Sequence, residues 1–244
     1  MANYWMLVNR VIRGADILLE VLDARMIEES RNIEIEDKVK KSGKQLIYVI
    51  NKCDLADKRE MERVKKTLRP SVFVSAKEHL GTRYLREEIM KNAPPGEFKV
   101  GVLGYPNTGK SSIINVLVGR AAAKISPVSG FTHGLQMVRI SQRMLVIDTP
   151  GVLPYKEHDE AKHAMISAKT VGNLKDPEDS AMKMIERFPE IIERYYGVKH
   201  VDDAEETLGM IAVKLRKLRK GGLPDTNSAA RMLLRDWQEG KMAK

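Results

Sequence analysis

Apolar residues along the first part of the chain fall into short runs separated by polar segments. Nearly continuous apolar runs occupy residues 16–22, 45–50, 72–74, 98–103, 135–140 and 144–147. Runs of this length without strict alternation indicate strands that are covered on both faces of a parallel sheet. Helical spacing of apolar residues covers 4–12, 33–41, 57–68, 82–90 and 111–118. Strands that alternate with helices predict an α/β fold with a mostly parallel sheet.

The pattern changes after about residue 160, where strand-like runs end. Helical patterns cover residues 161–171, 180–196, 204–218 and 227–238. Asp176-Pro177 and Gly221-Gly222-Leu223-Pro224 interrupt them, as turn residues do. We therefore predict two domains, an α/β domain over residues 1–165 and a basic all-α domain over residues 175–244.

The stretch from Gly104 to Ser111 reads G-Y-P-N-T-G-K-S and matches the phosphate loop G-x-x-x-x-G-K-[S/T]. A predicted strand precedes it and a predicted helix follows, so that amide hydrogens and the positive helix terminus converge on phosphates. Lys110 then reaches the outer phosphates, and Ser111 ligates Mg²⁺. The residues of this loop predicted to contact a nucleotide are Tyr105, Pro106, Asn107, Thr108, Gly109, Lys110, Ser111 and Ser112.

Two polar motifs that follow predicted strands indicate guanine. In Asn51-Lys52-Cys53-Asp54, the Asp54 carboxylate can accept from both the ring N–H and the exocyclic amine of guanine, whereas adenine presents a lone pair at the ring position. Asn51 braces the loop, and the stem of Lys52 covers the ring. Ser75-Ala76-Lys77 allows a backbone N–H to approach the guanine carbonyl, with Lys77 over the base. Taken singly, either motif is also compatible with an ordinary turn.

A third motif, Asp148-Thr149-Pro150-Gly151, closes a predicted strand. Asp148 suits contact with magnesium, through water or through Ser111, and Gly151 can offer its amide to the outermost phosphate. Thr132, in a glycine-flanked loop, is a candidate magnesium ligand, although it also fits an ordinary loop hydroxyl.

Composition narrows the partners and the compartment. The net charge of +9 suggests an anionic partner, and one cysteine excludes a disulfide framework or a cysteine-built metal site. No apolar run reaches the roughly 18–20 residues that span a bilayer. The first twenty residues lack a signal-peptide arrangement. We expect a cytoplasmic protein with no membrane partner.

Together these motifs look like those of the translation-factor class of GTPases, but in rotated order, because N-K-C-D and S-A-K precede the phosphate loop. The order resembles the circularly permuted GTPases of the YlqF/RbgA/YawG group, as do L-L-E-V-L-D-A-R, Ser30-Arg31-Asn32 and, near the end, K-G-G-L-P-D and A-A-R-M-L-L-R-D. The resemblance implies a permuted P-loop GTPase fold. It also implies GTP and GDP as ligands, and a role in assembly of the large ribosomal subunit through rRNA and ribosome binding, with a monomer off the ribosome.

The permuted order connects the helical domain directly to a nucleotide-sensing loop. The chain leaves the α/β domain directly after D-T-P-G, the loop that senses the last phosphate. We therefore hypothesise that hydrolysis reorients the helical domain.

The sequence lacks a catalytic residue that small signalling GTPases carry. Val152, Leu153 and Pro154 follow Gly151 where small signalling GTPases place a water-positioning glutamine. We therefore expect slow intrinsic GTP hydrolysis, with Lys110, Thr132 and Gly151 as the catalytic residues. His133 is the best internal histidine, although it also fits a solvated loop position. The family resemblance makes Asn107 a candidate K⁺ ligand that would assist catalysis, and a loop-bracing asparagine is the alternative.

A basic segment near the end of the chain is the candidate RNA contact. Its predicted phosphate-binding residues are Lys214, Arg216, Lys217, Arg219, Lys220, Arg231 and Arg235. A solvated helix face would carry similar charge. Two rival functions stay open at this point: an RNA scaffold that holds GTP with little or no hydrolysis, and a GTPase that acts on another RNA such as tRNA.

Overall fold

The computed structural model describes residues 2–119, 136–148 and 159–242. Within these ranges the chain divides into two compact units, Met1–Glu157 and His158–Lys244. The division falls before the sequence-based boundary at residue 165, because the helix Glu160–Met165 packs against later helices of the second unit.

The first unit is built on a six-stranded sheet. Its strands are β1 Ile17–Asp23, β2 Gln45–Asn51, β3 Ser71–Phe73, β4 Phe98–Leu103, β5 Gln136–Arg139 and β6 Met144–Asp148. They lie in the order β3-β2-β1-β4-β6-β5, with every neighbouring pair parallel except β5 and β6. The predicted α/β fold with a mostly parallel sheet is therefore confirmed.

Helices cover both faces of this sheet. They are α1 Ala2–Gly14, α2 Ile27–Ser30, α3 Ile33–Lys41, α4 Lys58–Thr67, α5 Thr82–Lys91 and α6 Lys110–Val118, with a 3₁₀ turn at Cys53–Leu55. Alternate residues of β1 face opposite cores: Leu19 packs in the core with α5 and α6, and Leu18 packs in the core with α1 and α3. Gly101 lets α1 approach, since a Cβ there would lie 2.6 Å from Cγ1 of Val11.

The regular elements of the second unit, over its described residues, are helices. It contains α7 Glu160–Met165, α8 Pro177–Arg187, α9 Ile191–Tyr196, α10 Ala204–Lys214 and α11 Thr226–Gln238, with a 3₁₀ turn at Val171–Asn173. Trp237 is fully buried, stacks on Phe188 at 4.5 Å between ring centroids, and donates from Nε1 to the carbonyl of Met165 at 2.8 Å. It is therefore a core anchor and not a base-stacking platform.

Three predicted helices are shorter than their patterns indicated. The predicted helix over 180–196 is two helices, because Pro189 disfavours helical geometry at Phe188, where φ is −128° and ψ is 58°. The predicted helix over 161–171 ends at Met165, and the one over 204–218 ends at Lys214. The four-residue helix α2 was not predicted, because a single turn has too little periodicity to detect.

One buried carboxyl group lies in the middle of this fold. Glu20 is fully buried on β1, and its Oε1 accepts from the Asn32 N–H at 2.8 Å, just before α3. Its Oε2 has no hydrogen-bond partner among the described residues. Burial raises the pKa of Glu20 to about 8, with Glu36 adding to the effect and the Asn32 N–H and Arg31 opposing it. Glu20 is therefore neutral at pH 7.

Replacing Glu20 by Gln should make stability less dependent on pH. In the unfolded chain the carboxyl ionises near pH 4.5, whereas the folded protein keeps the proton up to about pH 8. The wild type should therefore lose stability relative to Glu20→Gln as pH rises through this window, by a few kcal/mol at pH 8. Urea unfolding at pH 5 and pH 8 measures the difference, and a constant difference would contradict the burial effect.

Candidate functional site

The polar motifs of the sequence meet at one edge of the sheet. Because β3, β2, β4 and β6 run parallel, the loops that follow them emerge on the same side. N-K-C-D follows β2, S-A-K follows β3, the phosphate loop follows β4, and Asp148 ends β6. Thr132, His133 and Gly151 lie outside the described residues.

Asn51 connects three of these loops. Its side chain is buried, its Nδ2 donates to the carbonyl of Thr108 at 2.9 Å, and its Oδ1 accepts from the Ala76 N–H at 3.2 Å. A side-chain amide is the group that can donate and accept at once across such a gap. We call this pair of bonds the Asn51 clamp.

Two glycines of the phosphate loop are required by their close neighbours. Gly104 has φ +136°, and a Cβ there would lie 2.6 Å from the carbonyl oxygen of Val21. Gly109 has φ +98°, and a Cβ would lie 2.2 Å from Asn51 Nδ2, inside the clamp. A side chain at either position would push the loop away from its neighbours.

The rest of the loop is ordered by its own hydrogen bonds. Thr108 is buried and donates from Oγ1 to the carbonyl of Tyr105, which is also buried, at 3.0 Å. Pro106 is half-buried, and Asn107 is exposed in a left-handed conformation with φ +60°. The loop therefore presents Asn107 outward from a fixed backbone.

Lys110 is the buried cation of the site. It is 5% exposed, and its ammonium donates to the carbonyls of Gly104 at 3.0 Å and Tyr105 at 2.5 Å. Burial lowers the pKa of Lys110 to about 8, and the nearby charge of Asp148 opposes that shift. Its charge is therefore kept at neutral pH, close to the loop amides.

Hard oxygen donors suited to Mg²⁺ lie beside this lysine. Ser111 and Ser112 are exposed in the first turn of α6, whose N-terminus attracts anions. Asp148, at the end of β6, lies close enough to Lys110 to influence its pKa. Serine and aspartate oxygens fit magnesium, which takes its other ligands from water and phosphate. Among the described ranges no group of three or more His, Cys, Asp or Glu forms a protein-only metal site.

The two loops that are predicted to recognise the base adopt defined turns. Asp54 is exposed within the 3₁₀ turn Cys53–Leu55, and Cys53 N–H donates to the carbonyl of Val74 at 3.2 Å. Ser75 is fully buried, its Oγ accepts from the Glu78 N–H at 3.1 Å, and Lys77 is exposed. The loops that carry Asp54 and Lys77 are thus tied together at their bases.

The structure adds two charged residues that the motif analysis did not assign. Asp23 and Arg25 are both 1% exposed, and Nη2 of Arg25 lies 2.7 Å from Oδ2 of Asp23. Lys52 joins them, with Nζ 2.7 Å from the same oxygen. In the sequence, Asp23 and Arg25 belong to the D-A-R segment at the end of β1. That segment supported the family resemblance, but neither residue was assigned a role from it.

The basic segment of the second unit differs from its predicted form. Of its five clustered cations only Lys214 is helical. The others lie on an irregular hairpin, residues 216–225, which we call the basic hairpin. Leu218 and Pro224 form its bridge, and the Arg219 N–H donates to the carbonyl of Leu223 at 2.8 Å. Gly221 and Gly222 form its tip, both with positive φ.

A groove of about 480 Å³ lies beside this hairpin. Its lining residues are Lys217, Ser228, Arg231, Met232, Arg235, Asp236, Glu239 and Lys241. Arg231 is held by Asn227 Oδ1 at 3.0 Å and by the carbonyl of Val171 at 3.2 Å, whereas Lys241 is bound by Asp236 at 2.8 Å and Glu239 at 2.7 Å. Lys217, Arg231 and Arg235 therefore carry the excess positive charge of the groove.

Known proteins resemble this chain in sequence. A family model described as 50S ribosome-binding GTPase matches residues 99–213. An uncharacterised GTP-binding protein of Methanocaldococcus jannaschii is 41% identical over 244 residues, which are 97% of this chain and 65% of that protein. Nucleolar GTP-binding protein 2 of Saccharomyces cerevisiae is 30% identical over 98% of this chain and 52% of its own length. The chain thus spans about half to two thirds of these relatives.

Solved structures resemble it over nearly its whole length. GDP-bound YlqF matches with a TM-score of 0.67 and 25% identity, covering 97% of this chain and 96% of that one. GNP-bound YlqF from T. maritima matches with a TM-score of 0.66 and covers 98% of this chain. Motif order, sheet and relatives agree: the chain belongs to the circularly permuted GTPases related to YlqF.

Proposed function

We propose that the chain binds GTP and GDP, hydrolyses GTP slowly, and acts as a nucleotide-dependent switch in assembly of the large ribosomal subunit. The observation that carries the proposal is the Asn51 clamp, which ties the phosphate loop to both base-recognition loops. A triphosphate bound by one loop and a guanine read by the other two is the ligand that this arrangement fits.

Guanine selection would depend on Asp54. Its carboxylate is exposed at the same sheet edge as the phosphate loop and can accept two N–H groups from guanine. Adenine offers an acceptor at the ring position, which would leave the carboxylate facing a lone pair.

The phosphates and Mg²⁺ would bind at the start of α6. The Lys110 ammonium would exchange its two carbonyl partners for the outer phosphates. Ser111 and Asp148 would supply oxygen ligands on the side where Mg²⁺ binds. Thr132 and Gly151 are proposed to complete the site. Magnesium, when bound, neutralises the charge that develops on the transferring phosphoryl group.

Hydrolysis would be slow, because apolar side chains of Val152, Leu153 and Pro154 cannot orient water. His133 is the proposed internal substitute. Asn107 supports a role for K⁺, since it stands exposed on the phosphate loop with φ +60°. A potassium ion beside the phosphates would stabilise developing negative charge.

Ribosome binding is proposed for the second unit, with rRNA as the anionic partner. Lys214 lies at the end of α10, where a cation stabilises the helix dipole, but Lys217, Arg219 and Lys220 lie beyond that helix. Helix capping therefore does not account for their charge. The groove cations Arg231 and Arg235 extend the same surface along α11. Cytoplasmic location and a monomeric state off the ribosome are part of this proposal.

A non-hydrolysing, GTP-holding RNA scaffold is the second candidate function. The apolar residues after Gly151 favour it, because they leave no side chain there to orient water. Single-turnover hydrolysis, measured with and without ribosomal subunits, separates the two functions.

Replacing Asp54 by Asn should change base preference. The asparagine offers an N–H where guanine has its exocyclic amine, and xanthine has an oxygen there. We expect GDP affinity to fall at least a hundredfold and xanthosine diphosphate to bind more tightly than GDP. Titration calorimetry with both nucleotides measures the change. Unaltered GDP binding would contradict the assignment of Asp54 to the base.

GTP turnover should be faster in KCl than in NaCl, and large ribosomal subunits should increase it further. Asn107→Ala should abolish the difference between the two salts while GDP still binds. Single-turnover assays with radiolabelled GTP provide the rates. Equal rates in both salts would reject the potassium site, and no turnover even with subunits would favour the scaffold.

Neutralising the basic hairpin should weaken ribosome binding. The triple variant Lys217→Gln, Arg219→Gln, Lys220→Gln should reduce the slope of log affinity against log salt by about two to three, as three phosphate contacts are lost. Sedimentation with large and small subunits, with a GTP analogue or GDP, measures it. A matched control replaces exposed Lys175, Lys183 and Lys199 of the same unit. An equal loss of ribosome affinity in both variants would show that net charge, and not the basic hairpin, is responsible.

A further inference from the structure

Lys52 is held at both ends of its side chain. Its backbone is left-handed, with φ +62°, directly after the clamped Asn51. At the other end, its ammonium lies 2.7 Å from Oδ2 of Asp23. β1 and β2 pair in a register that places Asp23 opposite Asn51, so this contact follows directly from the sheet.

Asp23 does not need Lys52 to balance its charge. Its Oδ1 accepts from the Arg25 backbone N–H at 3.1 Å and from Nε at 3.0 Å, and its Oδ2 accepts from Nη2 at 2.7 Å. The guanidinium therefore already forms a two-point ion pair with a carboxylate that is 1% exposed. Lys52 is a second cation on the same group.

The electrostatics of the trio keep both bonds in place. Burial by itself would raise the pKa of Asp23, but the charges and hydrogen bonds of Arg25 and Lys52 outweigh burial and hold it well below its usual range. The carboxylate is therefore ionised throughout the physiological range, and the anchor for Lys52 is permanent.

We propose that Asp23 is a positioning residue for guanine recognition, which holds the ammonium of Lys52 so that the lysine's methylene stem is fixed beside the base. The inference rests on the proposed guanine-nucleotide binding and assigns to D-A-R a part in it. Arg25 orients Asp23, and Asp23 orients Lys52.

The benefit is pre-organisation. A free lysine samples many rotamers and loses that freedom when a ligand covers it. A stem already fixed at its Cα and its Nζ has less to lose, and each immobilised long side chain accounts for about a three- to tenfold change in affinity. The anchor should act mainly on the dissociation rate of the nucleotide.

The test is a double-mutant cycle of Lys52→Met, Asp23→Asn and the double variant. Methionine keeps an apolar stem but cannot bond to Asp23. We expect each single variant to weaken binding of a fluorescent GDP analogue about three- to tenfold with faster dissociation, and the double variant to be no weaker than the weaker single variant. Thermal unfolding is recorded for each.

Lys44→Met is the matched control. The Lys44 ammonium is also anchored, by the carbonyls of Ile12, Arg13 and Ala15, near the amino end of β2. Its replacement should lower thermal stability and leave GDP affinity as in the wild type.

Wild-type GDP affinity in Lys52→Met, additive losses in the double variant, or an equal loss of affinity in Lys44→Met would each overturn the inference. If Asp23→Asn fails to fold, the comparison of Lys52→Met with Lys44→Met decides alone. Absence of GDP binding by the wild type would instead remove the proposed function itself, so the two failures are distinguishable.

Discussion

The nucleotide site depends on one buried side-chain amide. Asn51 is 3% exposed, so its donor and its acceptor both need partners inside the protein, and the partners belong to two different loops. Thr108 belongs to the phosphate loop and Ala76 to the loop after β3. Gly109 must lack a side chain because the amide occupies that space. Two hydrogen bonds therefore fix the phosphate loop relative to the loops proposed to recognise the base.

Three buried ionisable groups of the first unit, two on β1 and one at the start of α6, differ in charge state. Asp23 is ionised, because a guanidinium and an ammonium contact it. Glu20, three residues earlier on the same strand, is neutral, because a single N–H is a weak substitute for water. Lys110 keeps its charge near loop carbonyls that a phosphate can replace. Two cations in direct contact outweigh burial at Asp23, burial prevails at Glu20, and Lys110 stays charged because burial lowers its pKa only to about 8.

Charged side chains are arranged differently in the second unit. Its core is apolar and aromatic, with Trp237 stacked on Phe188. The cations of the basic hairpin are exposed, whereas in the adjoining groove Arg231 is half-buried and Lys241 is paired with Asp236 and Glu239. Arg219 is paired with Asp225 at 3.5 Å, and Lys217 lines the groove. Exposed cations cost little in water, and they favour binding to a polyanion because they displace its condensed counterions.

The sequence by itself determined the strand positions, the parallel fold, the four motif loops and their permuted order, because each depends on local hydrophobic period or on short motifs. It predicted that Asn51 braces a loop, but it did not predict which residues Asn51 would bond to. It also did not predict that Asp23 and Arg25 would lie beside Lys52. It also extended one predicted helix across Pro189, and another as far as residue 218, into the basic hairpin. Only the tertiary structure decided that Asp23 and Lys52 meet, because the pairing of β1 with β2 sets which residues distant in the chain lie opposite each other.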